Sequence, residues 1–196
     1  YGILRLINFA HGDIFMVSGI MMVYLAASLP LYIAIPLVIV LTVLLGLLVE
    51  RVAYKPLRSA PRMSVMISAI GVSYLLQNLI AYLTGGLTKQ YVSIPWISDT
   101  VTILGASTKR VTVITPVLTL VLVVALVYLI NHTKIGMAMR AVSKDFETSQ
   151  LMGIEINKVI SMTFIIGSFL AAVGSMLYFS NYTGITYTSG AMPGLK

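Results

Sequence analysis

Charged residues are spaced along this chain so that four long stretches contain none. These stretches cover residues 14–49, 63–88, 111–133 and 159–195. Each is longer than the roughly 20 apolar residues that cross a bilayer as an α-helix. Because lipid offers the backbone no hydrogen-bond partner, stretches of this kind are expected to be helical. Their hydrophobic residues do not alternate with polar ones, so the pattern does not predict a transmembrane β-barrel.

Within these stretches the pattern predicts five membrane spans. They cover residues 14–29, 31–50, 63–84, 111–131 and 159–180. Pro30 separates the first two, and Pro36 is a second proline that can end or kink a helix. Composition agrees, because 58% of the residues are hydrophobic and 10% are charged, against about 25% charged in soluble domains. The predicted fold class is an all-α polytopic membrane protein, built as a bundle of transmembrane helices.

Two segments are apolar but interrupted by polar and small residues. They are residues 1–13 and residues 181–194, and the first contains Arg5, Asn8, His11, Gly12 and Asp13. The first segment is either a cytoplasmic turn between spans or a broken, re-entrant helix that lines a polar pathway, and the sequence leaves both interpretations open. The second is a broken stretch similar to the first. Asp13 is also placed to cap the helix that follows. Interrupted segments in corresponding positions of two halves indicate a transport site, which stands here as a hypothesis.

The span at residues 63–84 is unusually polar for a membrane helix. Ser73 and Gln77 lie four residues apart and therefore share a face. Such groups usually hydrogen-bond to neighbouring helices, and lining a polar passage is the alternative. The preceding residues 50–62 carry four basic residues, which predicts a cytoplasmic position. Two prolines should keep this basic loop from being helical throughout, Pro56 and Pro61.

The loop at residues 85–110 is predicted to lie on the external side and to contain a β-hairpin. Residues 100–104 and 109–113 are rich in β-branched side chains. They flank a short run of small residues at 105–107, which is typical of two strands joined by a turn. The sequence therefore predicts these two ranges as the strands of the hairpin.

Residues 134–158 form the longest polar segment that still has a helical pattern. Four of its residues recur at intervals of four, which places them near one face of a helix: Ala141, Asp145, Ser149 and Gly153. Gly153 is placed to end the helix in the left-handed conformation, and Asn157 to cap the next helix. The segment is either a docking element with a small-residue face or a solvated helix on the membrane surface. Spacing alone leaves both interpretations open.

The candidate chemistry narrows the class of protein. The net charge of +7 lies mainly in the short segments between spans, as the positive-inside rule expects, and is not a nucleic-acid signal. The sequence has no cysteine, and its only histidines are His11 and His132. It predicts no catalytic residue, no metal site and no cofactor. The alternatives to a transport subunit are a secondary transporter or channel for a small polar solute, which needs an ion or proton site, and an intramembrane enzyme, which needs a nucleophile or metal.

The chain begins at Tyr1, without a methionine, and ends as another apolar segment begins. We therefore expect residues 1–196 to form a single transmembrane domain that is an internal part of a longer protein.

Four motifs, in order, carry a resemblance to a known family. They are INFAHGD at residues 7–13, ERVAYKPLRSAPR at 50–62, ISAIGVSYLLQN at 67–78 and IGMAMRAVSKDFETSQLMGI at 135–154. Together they resemble the permease subunits of branched-chain amino acid ABC importers, in particular the permease that carries the AYKPLR-type loop. The resemblance covers essentially the whole chain.

The resemblance implies a permease subunit that forms a translocation path for branched-chain or related amino acids in the cell (inner) membrane. A separate ATPase subunit would drive transport. The implied partners are cytoplasmic ATPase subunits, a second permease subunit, an extracytoplasmic substrate-binding protein and the lipid bilayer, with no nucleic acid. The 134–158 segment would be the cytoplasmic coupling segment that seats in the ATPase.

The site residues follow in two groups. The substrate-pathway residues are Asn8, His11 and Gly12, which the resemblance places near a broken helix, together with Ser73 and Gln77 of the polar span. The resemblance assigns four residues to ATPase coupling, and the spacing pattern adds Ser149 to Arg140, Ala141, Asp145 and Gly153.

Overall fold

The computed structural model describes residues 10–57, 60–91, 99–103, 106–182 and 184–190, with the backbone alone at Arg62, Ile103 and Ala106. Seven α-helices form in this part of the chain. They are α1 Ala10–Ser28, α2 Leu31–Val49, α3 Arg62–Thr84, α4 Arg110–His132, α5 Lys134–Lys144, α6 Phe146–Leu151 and α7 Ile156–Asn181. Five of them, α1 to α4 and α7, are long and apolar enough to cross a membrane. The prediction of a helical polytopic membrane protein is confirmed.

The first span begins earlier than the sequence predicts. α1 starts at Ala10, so Asp13 lies inside the helix and is not its N-cap residue. The predicted capping role of Asp13 is therefore wrong. Its side chain is only 2% exposed, and it is directed into the bundle, where α3 supplies its partners.

The second span runs on into the predicted basic loop. After Val49 the chain continues as a π-helical turn, Glu50–Tyr54, and then as a 3-10 turn, Lys55–Leu57. Because Pro56 has no backbone N–H, the wider hydrogen-bond ladder cannot continue through it. The helix therefore extends further into this loop than expected, although the chain leaves it before Pro61.

α1 lies in the middle of the bundle, against α2, α3 and α7. Two close approaches define this packing. A Cβ on Gly19 would lie 2.7 Å from the ring of Phe179, and a Cβ on Gly46 of α2 would lie 1.8 Å from the hydroxyl of Ser168. Small residues at these positions let helices approach closely, as is typical of membrane bundles. α4, in contrast, lies at the edge, and none of its central residues is buried.

Two short antiparallel ribbons connect the spans. Strand β2, Thr100–Ile103, pairs with β3, Ala106–Lys109, so the predicted hairpin is present. Its second strand was predicted at 109–113, which is wrong, because α4 already begins at Arg110. In lipid the backbone must satisfy its own hydrogen bonds, and this requirement outweighs the local β preference of the branched residues there. The other ribbon joins β1, Lys89–Gln90, to β4, Gly184–Ile185.

Candidate functional site

A buried polar network links α1 to α3. The Gln77 side-chain amide donates to Asp13 Oδ1 at 2.9 Å, and the Ser73 hydroxyl donates to Asp13 Oδ2. Gln77 Nε2 also lies 3.2 Å from the Ser73 oxygen. A buried carboxyl group is costly unless donors satisfy it, and α3 supplies two donors one turn apart. Ser73 and Gln77 thus hydrogen-bond to a neighbouring helix, which is the first of the two predicted interpretations.

Sequence reasoning missed Asp13 as the centre of this network. The available signal was an acidic residue in an apolar segment together with a polar face on a nearby span. Because aspartate is also a common N-cap residue, Asp13 was predicted to lie at the start of the helix instead of inside it. Glu50 is a second acid that the sequence did not single out as buried: it is 3% exposed and accepts from the Ser161 hydroxyl at 3.1 Å.

The two interrupted segments meet in the structure. A Cβ on Gly190 would lie 2.4 Å from the carbonyl oxygen of Gly12 and 3.0 Å from the Cα of Asp13. Only a residue without a side chain allows this approach of two backbones. The contact joins the start of α1 to the turn that follows β4. Residues 10–13 of the first segment are helical, while Asn8 lies outside the described residues.

His11 faces a different part of the molecule. It lines a cavity of about 530 Å³ between α1, α4, α5 and α7, together with Arg140, Ser143 and Thr163. The remaining lining is apolar. Successive residues of a helix point about 100° apart, so the neighbouring positions 11, 12 and 13 reach three separate environments. The predicted pathway residues therefore do not form one continuous surface, and only Ser73 and Gln77 are brought together directly.

The 134–158 segment folds as two helices instead of one. The Thr133 hydroxyl caps α5 by accepting from the Gly136 N–H at 3.1 Å. At Asp145 the backbone is extended, with φ −147° and ψ 113°. The Asp145 carboxylate then accepts from the Thr148 N–H at 3.1 Å and from the Thr148 hydroxyl at 2.6 Å, which caps α6. The predicted single face of small residues is therefore wrong.

These contacts have an electrostatic consequence. The Thr148 hydroxyl and N–H hold the pKa of the Asp145 carboxyl below its usual range, because both donate to its charged form. The cap is consequently strongest when Asp145 is ionised.

The end of α6 agrees with the sequence prediction. Gly153 has φ +82°, the left-handed conformation expected of it. The Gly153 N–H donates to Gln150 O at 3.0 Å and the Ile154 N–H to Ser149 O at 3.1 Å, the two bonds of a Schellman motif. The predicted cap at Asn157 is wrong. Glu155 holds the N-cap position of α7 without a side-chain cap bond, and Asn157 lies in the first turn.

The other predicted coupling residues divide between inward and outward positions. Ala141 is half-buried, and Ser149 is buried and donates its hydroxyl to Asp145 O at 2.6 Å. Arg140 is exposed, and its Nη1 donates to Ile130 O at 2.6 Å and to Asn131 Oδ1 at 2.9 Å. Large apolar side chains of the segment remain exposed, above all Leu151 at 88% and Met152 at 79%.

Five membrane-spanning helices, a close contact between the two interrupted segments and a folded loop between two spans together are typical of a multi-pass membrane protein of the transport type. A comparison with protein families agrees. The family described as branched-chain amino acid transport system, permease component, matches residues 1–195. The chain belongs to this family, whose members are transport permease subunits and not enzymes. The family assignment from the four motifs is thereby confirmed.

Individual relatives give the same assignment. The chain is 32% identical over 209 residues to the permease LivH of Salmonella typhimurium, and 32% identical to LivH of Escherichia coli K12. It is 34% identical over 213 residues to BraD of Pseudomonas aeruginosa. Each alignment covers 100% of this chain and 68% of the relative. The three relatives are named as high-affinity branched-chain amino acid transport system permease proteins. No solved structure matched.

Proposed function

We propose that this chain forms part of the translocation path of an ABC importer for branched-chain or related amino acids, driven by separate ATPase subunits. The names of the relatives support the substrate class. A second permease subunit and an extracytoplasmic substrate-binding protein complete the proposed assembly. Family membership supports the transport role, and one structural feature supports the proposed coupling to ATP hydrolysis.

That feature is the exposed apolar end of α6. Leu151 and Met152 are 88% and 79% exposed although they are large and apolar. Exposed apolar surface is unfavourable in water by about 25 cal/mol per Å², and clustered exposed apolar side chains mark interaction sites. Because the caps at Asp145 and Gly153 hold α6 at both ends, its surface is preformed. We propose that a cleft of the cytoplasmic ATPase binds this surface.

The pathway is proposed to run along α3 beside the start of α1. Ser73 and Gln77 are half-buried behind an exposed face of α3 that includes Tyr74 and Asn78. Asp13 orients the two polar groups from behind, so the path is weakly polar and a zwitterion passes without being held. His11, which lines the separate cavity between α1, α4, α5 and α7, and Gly12, which packs against Gly190, stay predicted pathway residues. Asn8 stays a predicted pathway residue.

The coupling proposal is tested by cross-linking in the full-length protein. Residues 1–196 contain no cysteine, so a Leu151→Cys substitution introduces the one thiol of this range; any cysteine elsewhere in the full-length protein is replaced by serine. Asp145→Cys is less suitable, because it removes the cap of α6. The permease is co-expressed with its ATPase and its partner permease, and a bifunctional thiol reagent is added with and without ATP. We expect a cross-link to the ATPase whose yield changes with ATP.

The matched control is Leu87→Cys, which follows α3 and is 67% exposed. It lies beyond the opposite end of a span and should give no ATPase cross-link. If Leu151→Cys is labelled by a membrane-impermeant reagent from outside, or gives no cross-link while remaining freely reactive, the coupling role of the 134–158 segment is refuted.

A further inference from the structure

The junction between α4 and α5 is held by polar bonds to the end of α4 from Thr133, which lies between the two helices, and from Arg140 of α5. The Thr133 hydroxyl donates to Leu129 O at 2.6 Å and also accepts from the Gly136 N–H. Arg140 donates to Ile130 O. The last carbonyls of a helix lack N–H partners within that helix, and here the linking residue and one residue of the next helix donate to two of them. A cation at this end also opposes the negative pole of the α4 dipole.

Close packing reinforces these bonds. A Cβ on Gly136 would lie 2.2 Å from Ile130 O, so the first turn of α5 rests directly on the backbone of α4. Arg140 reaches back from one turn further along α5 and fixes the angle between the two helices. Hydrogen bonds to a charged donor are short and directional. The junction thus resists both bending and rotation.

The contacts of α5 with the rest of the bundle are of another kind. Its buried side chains Met139 and Val142 pack in an apolar cluster with Ile156, Val159 and Ile160 of α7. Apolar attraction has no preferred direction, so such a contact permits sliding. After α6, the chain enters α7 through the exposed residues 151–153. Within the described residues, the centre of α4 is packed less closely than the centres of α1 and α7, since none of its central residues is buried, against 56% and 39% of theirs.

From this contrast we infer that Arg140 is a positioning residue that makes α4 and the 134–158 segment move as one body. A displacement of the segment would then tilt α4 while α5 slides along α7. α5 has 11 residues and is therefore about 16 Å long, which gives the segment a lever on α4. This inference rests on the proposed coupling function, and it adds the helix that receives the movement and the residue that transmits it.

Distance measurements on the full-length importer test the inference directly. Spin labels at Val124 of α4 and Met137 of α5 report on the proposed single body, and both side chains are exposed, at 58% and 62%. A second pair, Met137 with Leu79 of α3, reports on movement relative to the bundle. We expect the first distance to be the same with and without ATP and the second to change. This measurement leaves Thr133, Gly136 and Arg140 unaltered.

The Arg140→Gln variant tests the role of the side chain. Loss of a charge-assisted hydrogen bond corresponds to about a tenfold change in an equilibrium. We therefore expect the Val124–Met137 distance to become nucleotide-dependent and leucine uptake per ATP hydrolysed to fall by about tenfold. Arg140→Lys retains the positive charge and a hydrogen-bond donor, so it should recover part of the leucine uptake per ATP hydrolysed. Lys109→Gln, which removes one exposed positive charge at the opposite end of α4, is the control and should leave the uptake ratio unchanged.

The outcomes separate the two proposals. If the wild-type complex gives no ATP-dependent cross-link at Leu151→Cys, the proposed coupling function fails. If that cross-link forms but the Val124–Met137 distance changes with ATP in the wild type, the inference about Arg140 is wrong and the function stands. An unchanged uptake ratio in Arg140→Gln would likewise overturn the inference.

Discussion

The network around Asp13 and the junction around Arg140 each hold two helices together, the first inside the bundle and the second at its surface. In each, one ionisable side chain joins two helices through two hydrogen bonds. Asp13 is 2% exposed and depends on side chains of a single neighbouring helix, whereas Arg140 is exposed and bonds to one backbone carbonyl and one side chain at the end of α4. Water can replace a lost partner at the surface but not inside the bundle. The buried network should therefore be the more sensitive of the two.

The largest effect is expected from Gln77→Leu. The substitution keeps the side chain similar in size but removes a donor from the buried Asp13 carboxyl, and we expect it to destabilise the protein by about 3 kcal/mol. Thermal unfolding of the full-length permease in detergent measures the change. The double variant Asp13→Leu, Gln77→Leu removes both partners and should be less destabilised than the sum of the single variants. Additive effects would show that the two side chains are not coupled.

A smaller loss of stability is expected from a substitution where the two interrupted segments are in contact. Gly190→Ala places a Cβ against the carbonyl oxygen of Gly12, and overpacking of this kind costs about 1–3 kcal/mol. Gly71→Ala is the matched control, because no heavy atom of the described residues lies within 4 Å of its Cβ position. Unfolding temperature and leucine uptake should fall for Gly190→Ala only. Equal behaviour of the two variants would contradict the close approach.

The smallest effect is expected at the exposed cap of α6. Asp145→Ala should leave global stability nearly unchanged and should increase hydrogen exchange at the Thr148 amide, because that N–H loses its acceptor. Asp145→Asn is the control, since asparagine is an equally good N-cap residue. Unaltered exchange in Asp145→Ala would show that the cap does not hold α6.

The same cap gives a pH dependence. The pKa of Asp145 is lowered in the folded protein. The stabilisation of α6 by its ionised carboxylate is therefore fully present above the unfolded pKa of about 3.9 and is lost as the pH falls through the lower folded pKa. Exchange at Thr148, relative to the intrinsic rate, should thus be constant at neutral and mildly acidic pH and rise only in strong acid. The Asp145→Asn variant should show no such rise.

Particular residues show how far the sequence predicted the candidate site. Gly153 was placed correctly, because a left-handed helix end is a local requirement that glycine meets at low cost. Asp145 was placed on a continuous helical face, although its side chain can equally well cap a new helix. The choice between these two local options depends on packing. Ser73 and Gln77 were recognised as a polar pair, while their partner Asp13 lies 60 residues away in sequence from Ser73.

Local sequence patterns were enough to predict the five spans of the described residues with approximate bounds, the helical class and, through four motifs, the family. Partition into a membrane depends on the summed hydrophobicity of a continuous stretch, which is a local property. Only the tertiary structure decided which helices lie together, and therefore that Asp13 meets α3, that Gly12 meets Gly190 and that Arg140 closes the end of α4. These contacts join residues from separate elements, and a hydrogen bond or a close approach exists only once the helices have packed.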